Sequence, residues 1–174
     1  MNEFPRRHRP DFGLSPKCAA TMHIYLIRHA HAEDGTPDAG RPLSQKGRRQ
    51  IRKVARFLKE TGGLEAEEIW HSPLRRAQET ARGLQKALRL KAKLCEKAGL
   101  RPDDDPQSLA HRLRQVRHPV AVVGHDPNLS ALASLLVAGR SIPLRFMLKK
   151  CAVLRLDRSG NAWVVRWQIS PEIL

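Results

Sequence analysis

Short apolar runs alternate with amphipathic segments along most of the chain, and this alternation predicts strands that alternate with helices. The apolar runs predict strands at 23–28, 67–71, 91–95 and 119–123. Apolar residues spaced three and four positions apart predict helices at 45–60, 73–89, 105–116 and 128–137. Two final runs, 151–157 and 162–168, flank turn residues and predict a hairpin. We therefore expect an α/β protein: a three-layer α/β/α sandwich with a mostly parallel central sheet and an antiparallel C-terminal edge hairpin.

Capping residues mark the expected starts of three helices. Ser44 and Ser72 each precede an amphipathic segment and are predicted to be N-caps, Ser72 with Pro73 in the first helical position. Asp105, followed by Pro106, is expected to begin the third helix in the same way. A capping residue placed directly before an apolar periodicity is the sequence signature of a helix start.

The first 21 residues differ from the rest of the chain. They contain three prolines and the basic cluster Arg6, Arg7 and Arg9, and they show no periodicity. We therefore predict a flexible basic arm over residues 1–21, followed by a single domain over 22–174. Met22 stands directly before the first predicted strand, so it is an alternative start of the protein.

The charge of the chain widens the range of expected functions. Its 174 residues include 32 Lys and Arg against 17 Asp and Glu, which gives a net charge of +15. Such a charge is expected of a nucleic-acid binder, and equally of a protein that acts on phosphorylated or acidic partners. Only 5% of residues are aromatic, so few side chains are available for stacking on single-stranded bases.

Two further absences in the sequence bear on location. No apolar run is long enough to cross a membrane, and no signal-peptide core begins the chain. The three cysteines lie far apart and form no CxxC pair, which indicates a reducing compartment. We expect a cytoplasmic protein that has no membrane contact and is a monomer.

Histidines and arginines follow three of the predicted strands at the point where each strand ends. Arg28 and His29 follow the first strand, Arg76 comes shortly after the second, and His125 comes after the strand at 119–123. Ligands of open α/β sheets bind beyond the carboxyl ends of the strands. An imidazole can act as a nucleophile, and guanidinium groups match phosphate oxygens. These residues therefore predict a phosphoryl-transfer site at one edge of the sheet.

Four segments carry a more specific signal. They are IYLIRHAHAE (24–33), RPLSQKG (41–47), SPLRRAQETA (72–81) and VVGHDPNLS (122–130). Together they resemble the motifs of the histidine phosphatase superfamily, and within it the SixA-type phosphohistidine phosphatases. The first segment has Ala30 where many members carry Gly. The resemblance covers residues 22–174, and the C-terminal hairpin that ends in WQISP is also similar to SixA.

The resemblance implies a role for five residues. His29 would be the nucleophile that forms a phosphohistidine, and it would attack as a neutral imidazole with an ordinary pKa. Arg28, Arg76 and His125 would bind the phosphoryl oxygens, with Arg41 as a further substrate-binding residue. A backbone acceptor should hold one ring nitrogen of His29. The resemblance also implies a phosphatase that needs neither metal nor cofactor.

The superfamily's usual proton donor has no counterpart in this chain. The corresponding stretch, 97–102, contains no acidic residue, and Asp103 is the nearest candidate. Acidic residues that precede a helix are commonly caps, so we give Asp103 little weight as a donor. A weak donor would suit a phosphoramidate, because imidazole leaves phosphorus more easily than an alkoxide does. We therefore expect the substrate to be phosphohistidine on a signalling protein.

Three alternatives stay open. The first is a small phosphomonoester as substrate on the same scaffold. The second is a metallohydrolase, because His29 and His31 could share a strand face and Glu33 and Asp34 follow them. The third is a protein without catalytic activity that binds nucleic acid or an acidic partner, which the charge of +15 favours.

Overall fold

The protein is described by a computed structural model over residues 22–174. Its strands are β1 (His23–Arg28), β2 (Glu68–His71), β3 (Lys93–Glu96), β4 (Val120–Gly124), β5 (Val153–Ser159) and β6 (Ala162–Ile169). Its helices are α1 (Gln45–Thr61), α2 (Arg75–Leu88), α3 (Pro106–Gln115) and α4 (Asn128–Ala138), with a short 3-10 helix at Asp38–Gly40. The arm predicted at 1–21 lies outside the described residues.

The six strands form one sheet in the order β3-β2-β4-β1-β5-β6. The first four strands in this order pair in parallel, and β5 and β6 add the antiparallel edge. This confirms the predicted α/β class and the C-terminal edge hairpin. The hairpin strand β5 begins two residues later than predicted. Cys151 has a φ of 62°, which is a left-handed conformation that is incompatible with an extended strand.

Both faces of the sheet are covered by helices. In β1, Ile24 and Leu26 pack into a core with α3 and α4, whereas Tyr25 and Ile27 pack into a second core with α1 and α2. Successive side chains of a strand point to opposite faces, so a strand that is buried on both faces needs an uninterrupted apolar run. This is why HIYLIR could be identified as a central strand and why the three layers are those predicted.

The expected N-caps are confirmed for two helices. Ser44 Oγ accepts a hydrogen bond from the backbone N–H of Gly47 at 3.0 Å, at the start of α1. Asp105 accepts from the N–H of Gln107 at 3.0 Å, and Pro106 is the first residue of α3.

The predicted start of the second helix was wrong. Leu74, not Ser72, is the N-cap of α2. The backbone N–H of Ser72 still donates to the carbonyl of Val123 at 3.0 Å, so the residue extends the pairing of β2 with β4. The chain turns into the helix two residues later, and the Ser72 hydroxyl accepts a hydrogen bond from the backbone N–H of Leu74 at 3.3 Å.

No helix in the range 22–174 is both long enough and apolar enough to span a bilayer.

Gly47 is required by the packing of α1 against the loop after β1. A Cβ atom on Gly47 would collide with the carbonyl oxygen of His31 and lie 3.0 Å from its carbonyl carbon. We expect Gly47→Ala to lower the free energy of unfolding by about 1–3 kcal/mol, the usual cost of overpacking, as measured by urea denaturation. Gly40→Ala is the matched control, since its nearest neighbour would lie at 3.9 Å. Equal stability of the two variants would contradict this packing.

Candidate active site

The parallel pairing of β1 with β4 brings two histidines side by side. Arg28 lies opposite Gly124 in the register, and the next residues along the two strands are His29 and His125. The backbone N–H of His29 donates to the carbonyl of Gly124 at 2.9 Å. The two imidazole rings are 4.8 Å apart between centroids, inclined at 48°.

His29 is held with one ring nitrogen free. Its Nδ1 lies 2.7 Å from the carbonyl oxygen of Ala30, and because a carbonyl only accepts, Nδ1 carries the proton. The neutral ring therefore keeps its lone pair on Nε2. A backbone acceptor was predicted for this histidine, and the structure supplies it.

Burial makes His29 a weaker base than we expected from the sequence. The side chain is nearly buried, and this desolvation lowers its pKa from the usual 6.5 to about 4. The bond to Ala30 opposes that shift, while the positive charges of Arg76 and Arg28 add to it. The expected ordinary pKa is therefore not observed, but the consequence is the same: His29 is neutral at pH 7.

His125 is buried beside Ser72, which sequence reasoning had assigned to a helix cap. Its Nε2 lies 3.0 Å from Ser72 Oγ, and its Nδ1 has no partner among the described residues. Burial, followed by the neighbouring His29 and then Arg76, lowers the pKa of His125 to about 3. The Ser72 hydroxyl thus orients the second histidine, and only the pairing of β2 with β4 shows this.

Two arginines lie next to the histidines. Arg28 donates from Nη1 to the carbonyl of Leu148 at 2.8 Å and lies 3.4 Å from Asp126 Oδ2. Arg76, only 6% exposed, donates from Nη1 to both the carbonyl oxygen and the Oδ2 of Asp38, at 2.9 and 3.0 Å. Both positive charges act on the pKa of His29. The structure therefore brings Arg28, His29, Arg76 and His125 together, and we call these four residues the four-residue group.

A buried threonine connects the first and second motifs. Thr80 Oγ1 accepts from the backbone N–H of Ala30 at 3.0 Å and donates to the carbonyl of Arg76 at 2.7 Å. It lies one helical turn after Arg76 in SPLRRAQETA. The motif thus contains a residue that fixes the backbone beside His29, a function that sequence reasoning did not assign.

Arg41 lies at the rim of this group, in a cluster of acidic partners. Its Nε donates to the carbonyl of Glu33 at 2.6 Å, Nη1 to Asp38 Oδ1 at 2.9 Å and Nη2 to Asp34 Oδ1 at 3.0 Å. It is connected to Arg76 through the carboxylate of Asp38. Substrate binding by Arg41 stays a prediction.

Of the three aspartates at 103–105, two accept backbone hydrogen bonds and the third has no partner within the range 22–174. Asp104 accepts from the N–H of Arg101 at 2.8 Å, and Asp105 caps α3. Asp103 is exposed, with no hydrogen bond or ion pair within the range 22–174. Nothing in the geometry favours Asp103 as a proton donor.

The histidine pair of a metallohydrolase is not formed. His31 Nδ1 lies 2.8 Å from Ser44 Oγ, while His29 contacts Ala30 and His125. In the part of the chain that the structure describes, no three His, Cys, Asp or Glu side chains are grouped so that they could hold a metal ion. His31 instead contacts the residue that caps α1.

Comparison with known proteins assigns the family. A sequence model of the histidine phosphatase superfamily (branch 1) matches residues 24–101. A protein of Picosynechococcus sp. is 35% identical over 148 residues, which cover 81% of this chain and 87% of the relative. The chain belongs to the histidine phosphatase superfamily.

Two solved structures of phosphatases share the fold. That of the protein histidine phosphatase SixA complexed with tungstate has a TM-score of 0.77 at 26% identity, and covers 87% of this chain and 99% of that chain. The alpha-ribazole phosphatase of Shigella flexneri has a TM-score of 0.72, covering 86% and 97%. Its identity is 16%, so this second likeness shows the fold alone. The two names refer to different substrates, and membership of the superfamily does not define the substrate of this chain.

The lowered pKa values of the two histidines can be measured directly. We expect NMR titration of the ring signals to give midpoints near pH 4 for His29 and near pH 3 for His125. The unfolded chain then binds more protons than the folded one between pH 6.5 and 4, so the free energy of unfolding should fall as pH is lowered through that range. Midpoints near 6.5 for both buried rings would contradict the described burial.

Proposed function

We propose that this protein is a phosphatase that acts through a covalent phosphohistidine on His29, without a metal ion or cofactor, and that its substrate is phosphohistidine on a protein. The observation that carries the proposal is the state of His29. It is a neutral imidazole with a free Nε2, placed beside two arginines and a second histidine. A nucleophile surrounded by positive charge is what phosphoryl transfer requires.

The first chemical step forms a bond between His29 Nε2 and phosphorus. The Nε2 lone pair attacks, the bond from phosphorus to the leaving group breaks, and that electron pair departs with the leaving group. Nδ1 keeps its proton, which it donates in a hydrogen bond to the Ala30 carbonyl, so the phosphorylated ring is an imidazolium. In the second step a water molecule attacks phosphorus, and the His29 ring leaves as a neutral imidazole.

The negative charge of the phosphoryl oxygens is stabilised by arginine side chains that other residues already hold in place. The Leu148 carbonyl and Asp126 hold Arg28, and Asp38 holds Arg76. With Ser72 as donor to Nε2, the proton of His125 lies on Nδ1, a buried atom without a hydrogen-bond partner among the described residues. Donors fixed in advance need little reorganisation during the reaction, which favours the transition state.

The choice of substrate rests on two supports. The first is the likeness to SixA at 26% identity over nearly the whole of that chain. The second is that Asp103, nearest to the position of the usual proton donor, is exposed and has no hydrogen bond or ion pair within the range 22–174. A leaving imidazole can depart without a new proton, whereas an alkoxide cannot depart easily. The charge of +15 further supports an acidic phosphorylated protein as the partner.

The covalent step can be tested by trapping. Chelator-treated wild type is incubated with a protein that carries labelled phosphohistidine, and then quenched in alkali. We expect acid-labile label on the enzyme and released phosphate. His29→Ala should show no label and a loss of turnover of at least about a thousandfold, as expected when a nucleophile is removed.

The control is His111→Ala, which removes an exposed histidine on α3 and should behave as wild type. Label retained by His29→Ala would show that another residue is the nucleophile. Turnover that is lost on chelation and restored by a divalent ion would show a metal-dependent reaction. Release of phosphate from a small phosphomonoester but not from phosphohistidine would favour the alternative substrate class.

A further inference from the structure

A carboxylate lies against the buried arginine of the site. Asp38 Oδ2 is 3.0 Å from Arg76 Nη1, and Asp38 Oδ1 is 2.9 Å from Arg41 Nη1. The carbonyl oxygen of Asp38 also accepts from Arg76 Nη1, at 2.9 Å. Each oxygen of the carboxylate therefore has its own guanidinium partner, and the backbone adds a third contact.

These contacts keep the carboxylate ionised. The hydrogen bond from Arg41 is the largest cause of a lowered pKa for Asp38, and Arg76 adds to it. A carboxyl group with a lowered pKa is a poor proton donor at neutral pH. Asp38 is consequently unsuited to the task of the missing acid, which is to protonate an alkoxide.

Asp38 lies on the solvent-exposed side of the site. The Asp38 side chain is 60% exposed, whereas that of Arg76 is 7% exposed and the His29 residue 8%. In-line displacement places the leaving group opposite the nucleophile. With His29 at the buried end, the leaving group faces solvent, and the exposed carboxylate of Asp38 is near enough to act on the pKa of His125.

Among the described carboxylates, only Asp38 and Asp126 form an ion pair with an arginine of the four-residue group. Asp126 is less exposed, at 16%, and its second oxygen accepts from Ser130 Oγ at 2.9 Å. Asp34 is fully exposed and contacts Arg41 alone. Asp38 is thus the carboxylate that combines contact with the site and access to solvent.

We infer that Asp38 selects the leaving group: its carboxylate accepts a hydrogen bond from the distal ring N–H of a phosphorylated imidazolium and so favours phosphohistidine over phosphate esters. This inference rests on the proposed function and deepens it. A carboxylate attracts the cationic ring, whereas the leaving group of an ester carries no positive charge for it to attract.

The chemistry balances without an added acid. In the substrate the ring carries phosphorus on one nitrogen and a proton on the other, so it is a cation. When the P–N bond breaks, its electron pair returns to the ring, which leaves as a neutral imidazole that keeps its N–H. Asp38 only accepts the hydrogen bond of that proton throughout, which favours the protonated, reactive form of the substrate.

The test compares Asp38→Asn with Asp34→Asn on two substrates, a phosphohistidine protein and p-nitrophenyl phosphate. Each variant removes one carboxylate that contacts Arg41, but only Asp38 also contacts Arg76. We expect Asp38→Asn to lower kcat/KM for phosphohistidine by about tenfold to a hundredfold, the range of one charge-assisted hydrogen bond. Its kcat/KM for p-nitrophenyl phosphate should fall clearly less, because the Asp38 backbone carbonyl still accepts from Arg76 in the variant, and Asp34→Asn should resemble wild type on both.

The pH profile separates recognition from a merely structural role. Without the carboxylate, the substrate ring loses its proton at lower pH, so the alkaline fall of the phosphohistidine rate should move to lower pH in Asp38→Asn. The profile for p-nitrophenyl phosphate should not move, since its leaving group does not bind a proton.

Equal losses on both substrates would mean that Asp38 acts only by positioning Arg76, and would overturn the inference. Unchanged phosphohistidine activity in Asp38→Asn would overturn it as well. Wild type that releases phosphate from p-nitrophenyl phosphate but not from phosphohistidine would overturn the inference together with the proposed substrate. Wild type inactive on both substrates would instead contradict the proposed function.

Discussion

The parallel pairing of β1 with β4 is the constraint on which the site depends. Its register places Arg28 opposite Gly124, and the bond from the His29 N–H to the Gly124 carbonyl continues it by one residue. The rings of His29 and His125 then meet at 4.8 Å. Because β1 is covered by helices on both faces, this register cannot slip by one residue without exposing its apolar side chains. The stability of the core and the geometry of the site thus have the same origin.

Burial among arginines determines the chemical state of the site. Two imidazoles that lie next to Arg28 and Arg76 are costly to protonate, which keeps them neutral and keeps the positive charge on the guanidinium groups. Asp126 forms an ion pair with Arg28 and Asp38 forms one with Arg76, and these pairs partly offset the positive charge. The same packing therefore gives two neutral imidazoles at pH 7 and fixed positive charges around them.

The sequence was informative where one local pattern determines structure. The run HIYLIR had to be a strand buried on both faces, and residues after parallel strands had to meet at one edge, so the grouping of His29, Arg76 and His125 was predictable. The partner of Ser72 was not, because a serine before Pro73 can cap a helix as readily as bind a histidine, and only the β2–β4 pairing decides. Likewise, the pairing of Arg41 with Asp34 and Asp38 depends on the path of a loop without periodicity.

In the proposed reaction, four side chains form one phosphoryl pocket with His29 as the attacking group. A crystal structure with vanadate, which adopts the geometry of the transferring phosphoryl group, tests this arrangement. We predict vanadium bonded to His29 Nε2, with its oxygens contacted by Arg28, Arg76 and His125. Vanadate bound at another surface, or bound in this pocket through a residue other than His29, would contradict the account.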